Sequence, residues 1–191
     1  MHYPIAEIFY SIQGEGRWVG HPMTFVRLAG CSVRACHIRH ECDTDWRHGR
    51  SQSLESVVQA VQALPGRVVS ITGGEPTDHA LAPLLDALRD YEIHMETSGA
   101  RAAPAVQWLT VSPKTFDYRQ RTGDALKVVV RPEWGWEELD RLSTDAHFAC
   151  YYLQPLTVAD EPVNLSQVLR MVQERPRWAV SMQAHRLWRV R

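Results

Sequence analysis

The sequence predicts an α/β protein, a mostly parallel sheet with few helices that curls into a partial, open β/α barrel. Three observations carry this. Short apolar runs alternate with amphipathic stretches along the chain. Several of those runs are nearly continuous in β-branched residues, as strands buried on both faces are. Each run also ends in a turn rich in glycine, cysteine, proline or polar side chains, and in such sheets ligands bind at the carboxyl ends of the strands.

Taken in order, Thr24-Phe-Val-Arg-Leu-Ala29 reads as a strand leading into a cysteine-bearing loop, and polar residues 43–52 follow. Leu54, Val57, Val58, Val61 and Leu64 then fall on one helical face, with Ser53 as N-cap and Pro65-Gly66 as the stop. Arg67-Val-Val-Ser-Ile-Thr72 is a buried strand that ends in Gly73-Gly74-Glu75-Pro76, and a helix with Leu81, Leu84, Leu85 and Leu88 on one face comes next. Strands are predicted at Ile93–Thr97, Trp108–Val111 and Leu126–Val130, with connections too short, or too broken by Pro and Gly, for full helices. Residues 134–143 form a helix, Phe148–Leu153 a strand, Leu165–Val172 a helix and Ala179–Met182 a last strand.

The 191 residues fit one domain, 1–191, with residues 1–23 as a short N-terminal extension. Hydrophobic residues make up 45% and charged residues 23%, ordinary for a globular protein, and the formal charge of −1 sets up no field towards nucleic acid or anionic lipid. The N-terminus lacks a cationic segment followed by an apolar one, and no apolar run is long enough to span a bilayer. These features predict a cytoplasmic protein that engages neither nucleic acid nor membrane. Clustered cysteines in that setting are ligands or catalytic thiols rather than a disulfide framework.

Cys31, Cys36 and Cys42 share one short stretch, and the fourth cysteine, Cys150, is far downstream. Three thiols without a fourth suit an iron–sulfur cluster with one open iron. The neighbouring Arg34, His37, Arg39 and His40 would favour thiolates. A structural zinc completed by His37 or His40 stays open as the alternative.

Gly73-Gly74 lets the backbone approach a ligand closely and adopt positive φ, and Glu75 can accept from an ammonium group. Gln13-Gly-Glu-Gly16 suits a flat heterocycle with an amino group and a ring N–H, although a plain β-turn has the same composition. Arg27, amid Phe25, Val26 and Leu28, needs a partner: a substrate carboxylate, or an internal carboxylate such as Glu7 or Glu96. Thr44, two residues beyond Cys42, offers a hard oxygen, a donor type that Mg²⁺ takes but that alone would not suggest the ion. Lys114 and Lys127 sit near strand ends, where either could meet a carboxylate, although each taken singly reads as a surface cation.

In order along the chain, Ile8-Phe-Tyr-Ser-Ile-Gln-Gly-Glu-Gly16, Phe25-Val-Arg-Leu-Ala-Gly-Cys31, Cys42-Asp-Thr44, Thr72-Gly-Gly-Glu-Pro76, Glu96-Thr-Ser-Gly99, Ser112-Pro-Lys114 and Leu153-Gln-Pro155 resemble the radical S-adenosylmethionine superfamily. Within it they resemble the 7-carboxy-7-deazaguanine synthases. The resemblance implies a radical-SAM-type barrel with a 4Fe–4S cluster on Cys31, Cys36 and Cys42, and Mg²⁺ at Thr44. It places S-adenosylmethionine against Glu41, Asp43, Glu75, Gly99, Ser112, Lys114 and Gln154, and a pterin substrate against Ile12, Gln13, Gly14, Arg27 and Thr97. The implied reaction turns 6-carboxy-5,6,7,8-tetrahydropterin into 7-carboxy-7-deazaguanine with loss of ammonia, through a 5′-deoxyadenosyl radical. An external electron donor of flavodoxin or ferredoxin type and a homodimer are implied as well.

Two features depart from the superfamily pattern. The spacing here is Cys-x4-Cys-x5-Cys instead of the common Cys-x3-Cys-x2-Cys, and Glu41 stands where an aromatic residue commonly precedes the third cysteine. A radical enzyme acting on another substrate, such as a protein activase, and a zinc-stabilised binding module are the competing functions.

Overall fold

A computed structural model describes residues 1–42 and 45–190. The strands are β1 (His2–Ile12), β2 (Pro22–Leu28), β3 (Arg50–Ser53), β4 (Val68–Gly73), β5 (Glu92–Thr97), β6 (Trp108–Val111), β7 (Thr122–Val130), β8 (His147–Pro155), β9 (Thr157–Val158), β10 (Glu161–Pro162) and β11 (Ala179–Val180). The helices are α1 (Leu54–Gln62), α2 (Ala82–Ala87), α3 (Trp136–Ser143), α4 (Leu165–Glu174) and α5 (Ala184–Trp188).

Nine strands form one mixed sheet in the order β11-β8-β7-β6-β5-β4-β2-β1-β3. The run from β2 to β11 is parallel throughout, while β1 pairs antiparallel with both β2 and β3. The sheet is open, with edges at β11 and β3. The core is continuous, from Ile5, Val26, Leu28 and Ile71 through Met95 and Val111 to Leu126, Val128 and Leu153, closed by Val57, Val61, Leu84, Leu139, Leu142 and Val168 of the helices. Helix α1 begins where expected, with Ser53 Oγ accepting from Ser56 N at 3.2 Å. Only short links join β5 to β6 and β6 to β7, so these strands follow one another with no helix between them.

Four stretches differ from the sequence reading. The N-terminal extension is the long strand β1, and its register sets Glu7 opposite Arg27. The end of the polar stretch 43–52 enters β3, which has no apolar alternation because it is an exposed edge paired only to β1. The β9–β10 hairpin and α5 are also absent from the sequence reading, being too short to carry a hydrophobic period.

Candidate functional site

A cavity of about 190 Å³ opens at the carboxyl ends of the parallel strands. Cys31, Cys36 and Cys42 line it together with Glu41, Ile12, Gln13, Gly14, Arg27, Ser112, Lys114 and Gln154. Residues scattered from 12 to 154 thus meet at one rim, because successive parallel strands deliver their ends side by side.

Close backbone contact between two strand ends builds the first cysteine's support. Gly74 N donates to Leu28 O at 2.8 Å and Glu75 N to Gly30 O at 2.9 Å. A Cβ on Gly74 would lie 1.8 Å from Gly30 O, and Gly73 has φ +121°, so neither position has room for a side chain. Ser32 donates from N and Oγ to Asp78, both at 2.7 Å, and His79 Nε2 lies 3.0 Å from Ala29 O. The glycines therefore bring protein backbone, and with it Cys31, onto β4.

Glu75 stands behind this wall, fully buried. Its Oε1 accepts from Thr77 N (3.0 Å), Thr77 Oγ1 (2.7 Å) and Thr97 Oγ1 (2.6 Å), and its Oε2 accepts from Ser98 N (2.8 Å) and Ser98 Oγ. The carboxylate thus joins the turn after β4 to the end of β5. Thr97 is occupied in the same knot, accepting from Gly99 N at 3.0 Å. Glu75, Thr97 and Gly99 are not among the cavity-lining residues, whereas Thr72, Gly73, Gly74 and Ser98 are. Asp43 and Thr44 lie outside the described residues.

Beyond the cysteines the cavity wall is charged and buried. The Lys127 ammonium meets Glu15 and, at 3.0 Å, Glu96. Burial alone would raise the Glu15 carboxyl and lower the Lys127 ammonium. The mutual attraction overrides it, holding Glu15 at about 2 and pushing Lys127 above its ordinary range. Gln13 Nε2 donates to Glu96 at 2.9 Å, its Oε1 accepts from Glu15 N at 3.1 Å, and Gln154 Nε2 donates to Glu15 at 3.1 Å. Lys114 donates to Ser112 O at 3.0 Å and Oγ at 2.6 Å; burial, then Lys127's charge, lowers its pKa, against the thiols of Cys36 and Cys42. Neither lysine is a surface cation. Each side chain points inward from a strand end, and the covering elements are distant in sequence. Arg27 lies on the cavity with Nε 3.2 Å from Glu7, so the internal partner exists and the guanidinium still faces the site.

The first thiol differs from expectation. Burial pushes the Cys31 thiol up, reinforced by Glu75 and Asp78, so the neighbouring basic residues do not make it a thiolate. His37 is itself neutral, its pKa lowered to about 4 by burial and by Lys114. Its Nδ1 lies 3.0 Å from Lys114 O and its Nε2 3.3 Å from Val129 O, so neither ring nitrogen is turned to a metal. Among the described residues, no three His, Cys, Asp or Glu side chains converge on a single ion. Three soft thiols on one wall, with a buried ammonium beside them, suit an iron–sulfur group larger than one ion.

The cavity lining also takes in residues beside those named for binding. Thr72 precedes Gly73-Gly74 in that motif, and Glu15 is the carboxylate of the Gln-Gly-Glu turn. Trp46 and His185 line the cavity from the loop and from α5, which docks through Ala184 N to Gly14 O at 2.9 Å. The motif pointed to Thr72, Gly74 and Glu15; nothing in the local sequence pointed to His185.

No protein-family model matches the chain. A 7-carboxy-7-deazaguanine synthase from Synechocystis is 34% identical over 200 residues, covering 99% of this chain and 94% of that protein. The synthase of the same name from Caulobacter vibrioides is 34% identical over 209 residues, covering 97% and 98%. The crystal structure of QueE from Escherichia coli superposes with a TM-score of 0.74 at 29% identity, over 97% of this chain and 95% of that one. With this identity sustained over nearly the full length of both partners, the chain belongs to the 7-carboxy-7-deazaguanine synthase family.

Proposed function

We propose that this protein converts 6-carboxy-5,6,7,8-tetrahydropterin to 7-carboxy-7-deazaguanine with loss of ammonia, as a radical S-adenosylmethionine lyase of 7-deazapurine and queuosine biosynthesis. The observation that carries this is the meeting of Cys31, Cys36 and Cys42 with Ile12, Gln13, Gly14 and Arg27 on one cavity, in a chain of this family. When bound, the cluster and S-adenosylmethionine supply the one-electron chemistry that begins with hydrogen abstraction.

The chain's own residues bind and orient. The three cysteines hold the 4Fe–4S cluster. Ser112, Lys114, Gln154 and Glu41 line the S-adenosylmethionine side, where Thr72-Gly73-Gly74 offers backbone and Glu75, Thr97 and Gly99 hold that backbone in place from behind. Gln13 has its amide fixed at both ends by Glu15 N and Glu96, which sets its orientation towards a heterocycle. Arg27 supplies the cation for the substrate carboxylate. Asp43 and Thr44 extend the site, with Thr44 as Mg²⁺ ligand. One domain spans 1–191, and the enzyme works in the cytoplasm as a homodimer fed by a flavodoxin or ferredoxin. Among the described residues no helix is long and apolar enough to cross a membrane.

Anaerobic reconstitution with iron and sulfide tests this reading. Dithionite, S-adenosylmethionine, Mg²⁺ and the tetrahydropterin are then added and the products followed by mass spectrometry. The expected result is 7-carboxy-7-deazaguanine, lost in Cys36→Ala. A protein that makes 5′-deoxyadenosine but no deazapurine would point to another substrate. A colourless zinc protein would end the enzyme reading.

A further inference from the structure

The segment between Cys36 and Cys42 contains no helix or strand, yet it carries two of the three thiols. An irregular loop must lose its conformational freedom before it can present ligands in a fixed array, so something outside it has to hold it. The structure shows two holds on the Cys36 side, and both converge on His37.

The first comes from the strand ends. His37 N donates to Lys114 O at 3.2 Å, and His37 Nδ1 lies 3.0 Å from the same oxygen. Nδ1 makes the shorter of the two ring contacts, Nε2 lying 3.3 Å from Val129 O, so the hold on Lys114 O runs through the ring as well as the backbone. The ring also packs on Trp134, centroids 4.6 Å apart with the planes tilted by 47°, and Trp134 packs on Phe116 at 5.6 Å. Trp134 is fixed in turn, because Gln167 of α4 donates to its carbonyl at 2.7 Å.

The second comes from Arg131, immediately after β7. Its Nη1 donates to His37 O, its Nε pairs with Glu133 at 2.6 Å, and Nη1 lies 3.9 Å from Glu41, the residue before Cys42. Arg131 thus reaches both ends of the five-residue span between the second and third cysteines.

We infer that His37, gripped by the Lys114 carbonyl, Trp134 and Arg131, is a positioning residue that locks the Cys36–Cys42 segment onto the ends of β6 and β7 and so sets the spacing of the cluster thiols. This rests on the reading of Cys31, Cys36 and Cys42 as cluster ligands and deepens it. The anchor makes the longer cysteine spacing workable: it converts a floppy insertion into a span tethered at its first residue and clamped near its last.

The test compares reconstituted wild type with His37→Phe, His37→Asn and Arg131→Gln. Phe keeps the packing and loses the ring donor. Asn places an amide N–H as many bonds from the backbone as Nδ1 and should restore the bond to Lys114 O. Arg131→Gln removes the clamp without touching the loop, so the inference stays testable if a His37 variant fails to fold. Three quantities are read: iron release to a ferrous chelator, the change in the reduced cluster's electron paramagnetic resonance spectrum on adding S-adenosylmethionine, and apo-protein thermal unfolding.

The expected result is iron release about tenfold faster in His37→Phe and Arg131→Gln, the scale of one well-formed hydrogen bond to a charged or polar partner. It comes with a weakened spectral response to S-adenosylmethionine, near-wild-type behaviour in His37→Asn and an apo melting temperature close to wild type throughout. Wild-type iron release and spectra in both His37→Phe and Arg131→Gln would overturn the anchor while leaving the cluster reading intact. A wild-type protein that takes up no cluster would overturn both.

Discussion

Two walls of one cavity are held in place in opposite ways. The wall formed by β4, β5 and the turn after β4 is knotted by a fully buried carboxylate, Glu75, that accepts five hydrogen bonds from Thr77, Thr97 and Ser98. The cysteine loop opposite has no regular structure between Cys31 and Cys42, and is tied down by scattered contacts to Asp78, Lys114, Val129 and Arg131. The buried wall belongs to the folding core, so damage there costs stability. The loop contributes little to folding, so damage there costs site geometry first. In this protein rigidity and cluster binding are assigned to different segments, which lets the cysteine spacing vary without endangering the sheet.

The largest break of that contrast is Glu75→Leu. It orphans buried donors of Thr77, Thr97 and Ser98, and a loss of about 3–5 kcal/mol is expected, read as a fall in the urea midpoint of the apo-protein. A midpoint close to wild type would mean the knot is not structural.

Acid comes next. The Glu15 carboxyl is lowered from its ordinary 4.5 to about 2, with burial opposed and outweighed by Lys127. A depressed carboxyl stabilises the fold fully above its unfolded value. On the order of 3 kcal/mol should therefore be present above about pH 4.5 and lost as pH falls towards 2. Urea titrations across that window, with Glu15→Gln as the control that flattens this part of the profile, measure it. The raised Lys127 works at the other end, its contribution being lost only when strongly alkaline solution deprotonates it.

Gly74→Ala sharpens the comparison, because it touches both walls at once. Its Cβ would force Gly30 away, costing about 2 kcal/mol and displacing Cys31. Both the urea midpoint and iron uptake should fall, whereas Cys36→Ala should lower iron uptake alone. The smallest effect belongs to the loop. Arg39, stacked over Trp46 at 4.9 Å, should cost only about 0.5 kcal/mol of apo stability when changed to Ala, a loss at the edge of detection in the same titration.

Much of this was legible in the sequence. The strands β2, β4, β5, β6, β7 and β8 and the helices α1 to α4 announce themselves by runs or periods of apolar residues long enough to be read. The ordered motifs at their ends located the cavity. Edge strand β3, the β9–β10 hairpin and α5 are too short or too polar to carry such a pattern. The site was legible where a motif names a lining residue, as at Cys31, Gln13, Arg27, Ser112 and Lys114. It was less legible where the motif residue stands outside the cavity lining. Glu75 and Thr97 spend their oxygens on each other's neighbourhood, and the adjacent Thr72 and Gly74 face the space.

The sequence by itself determined the parallel strand order of the motifs, the three-thiol set and the family, because local periodicity and residue chemistry survive without coordinates. Only the tertiary structure decided which polar groups are paired with one another. Lys127 with Glu15 and Glu96, Arg27 with Glu7, and His37 with Lys114, Trp134 and Arg131 are all contacts across long sequence separations. Charge and hydrogen-bond energies depend on distance and burial, and both are set by packing.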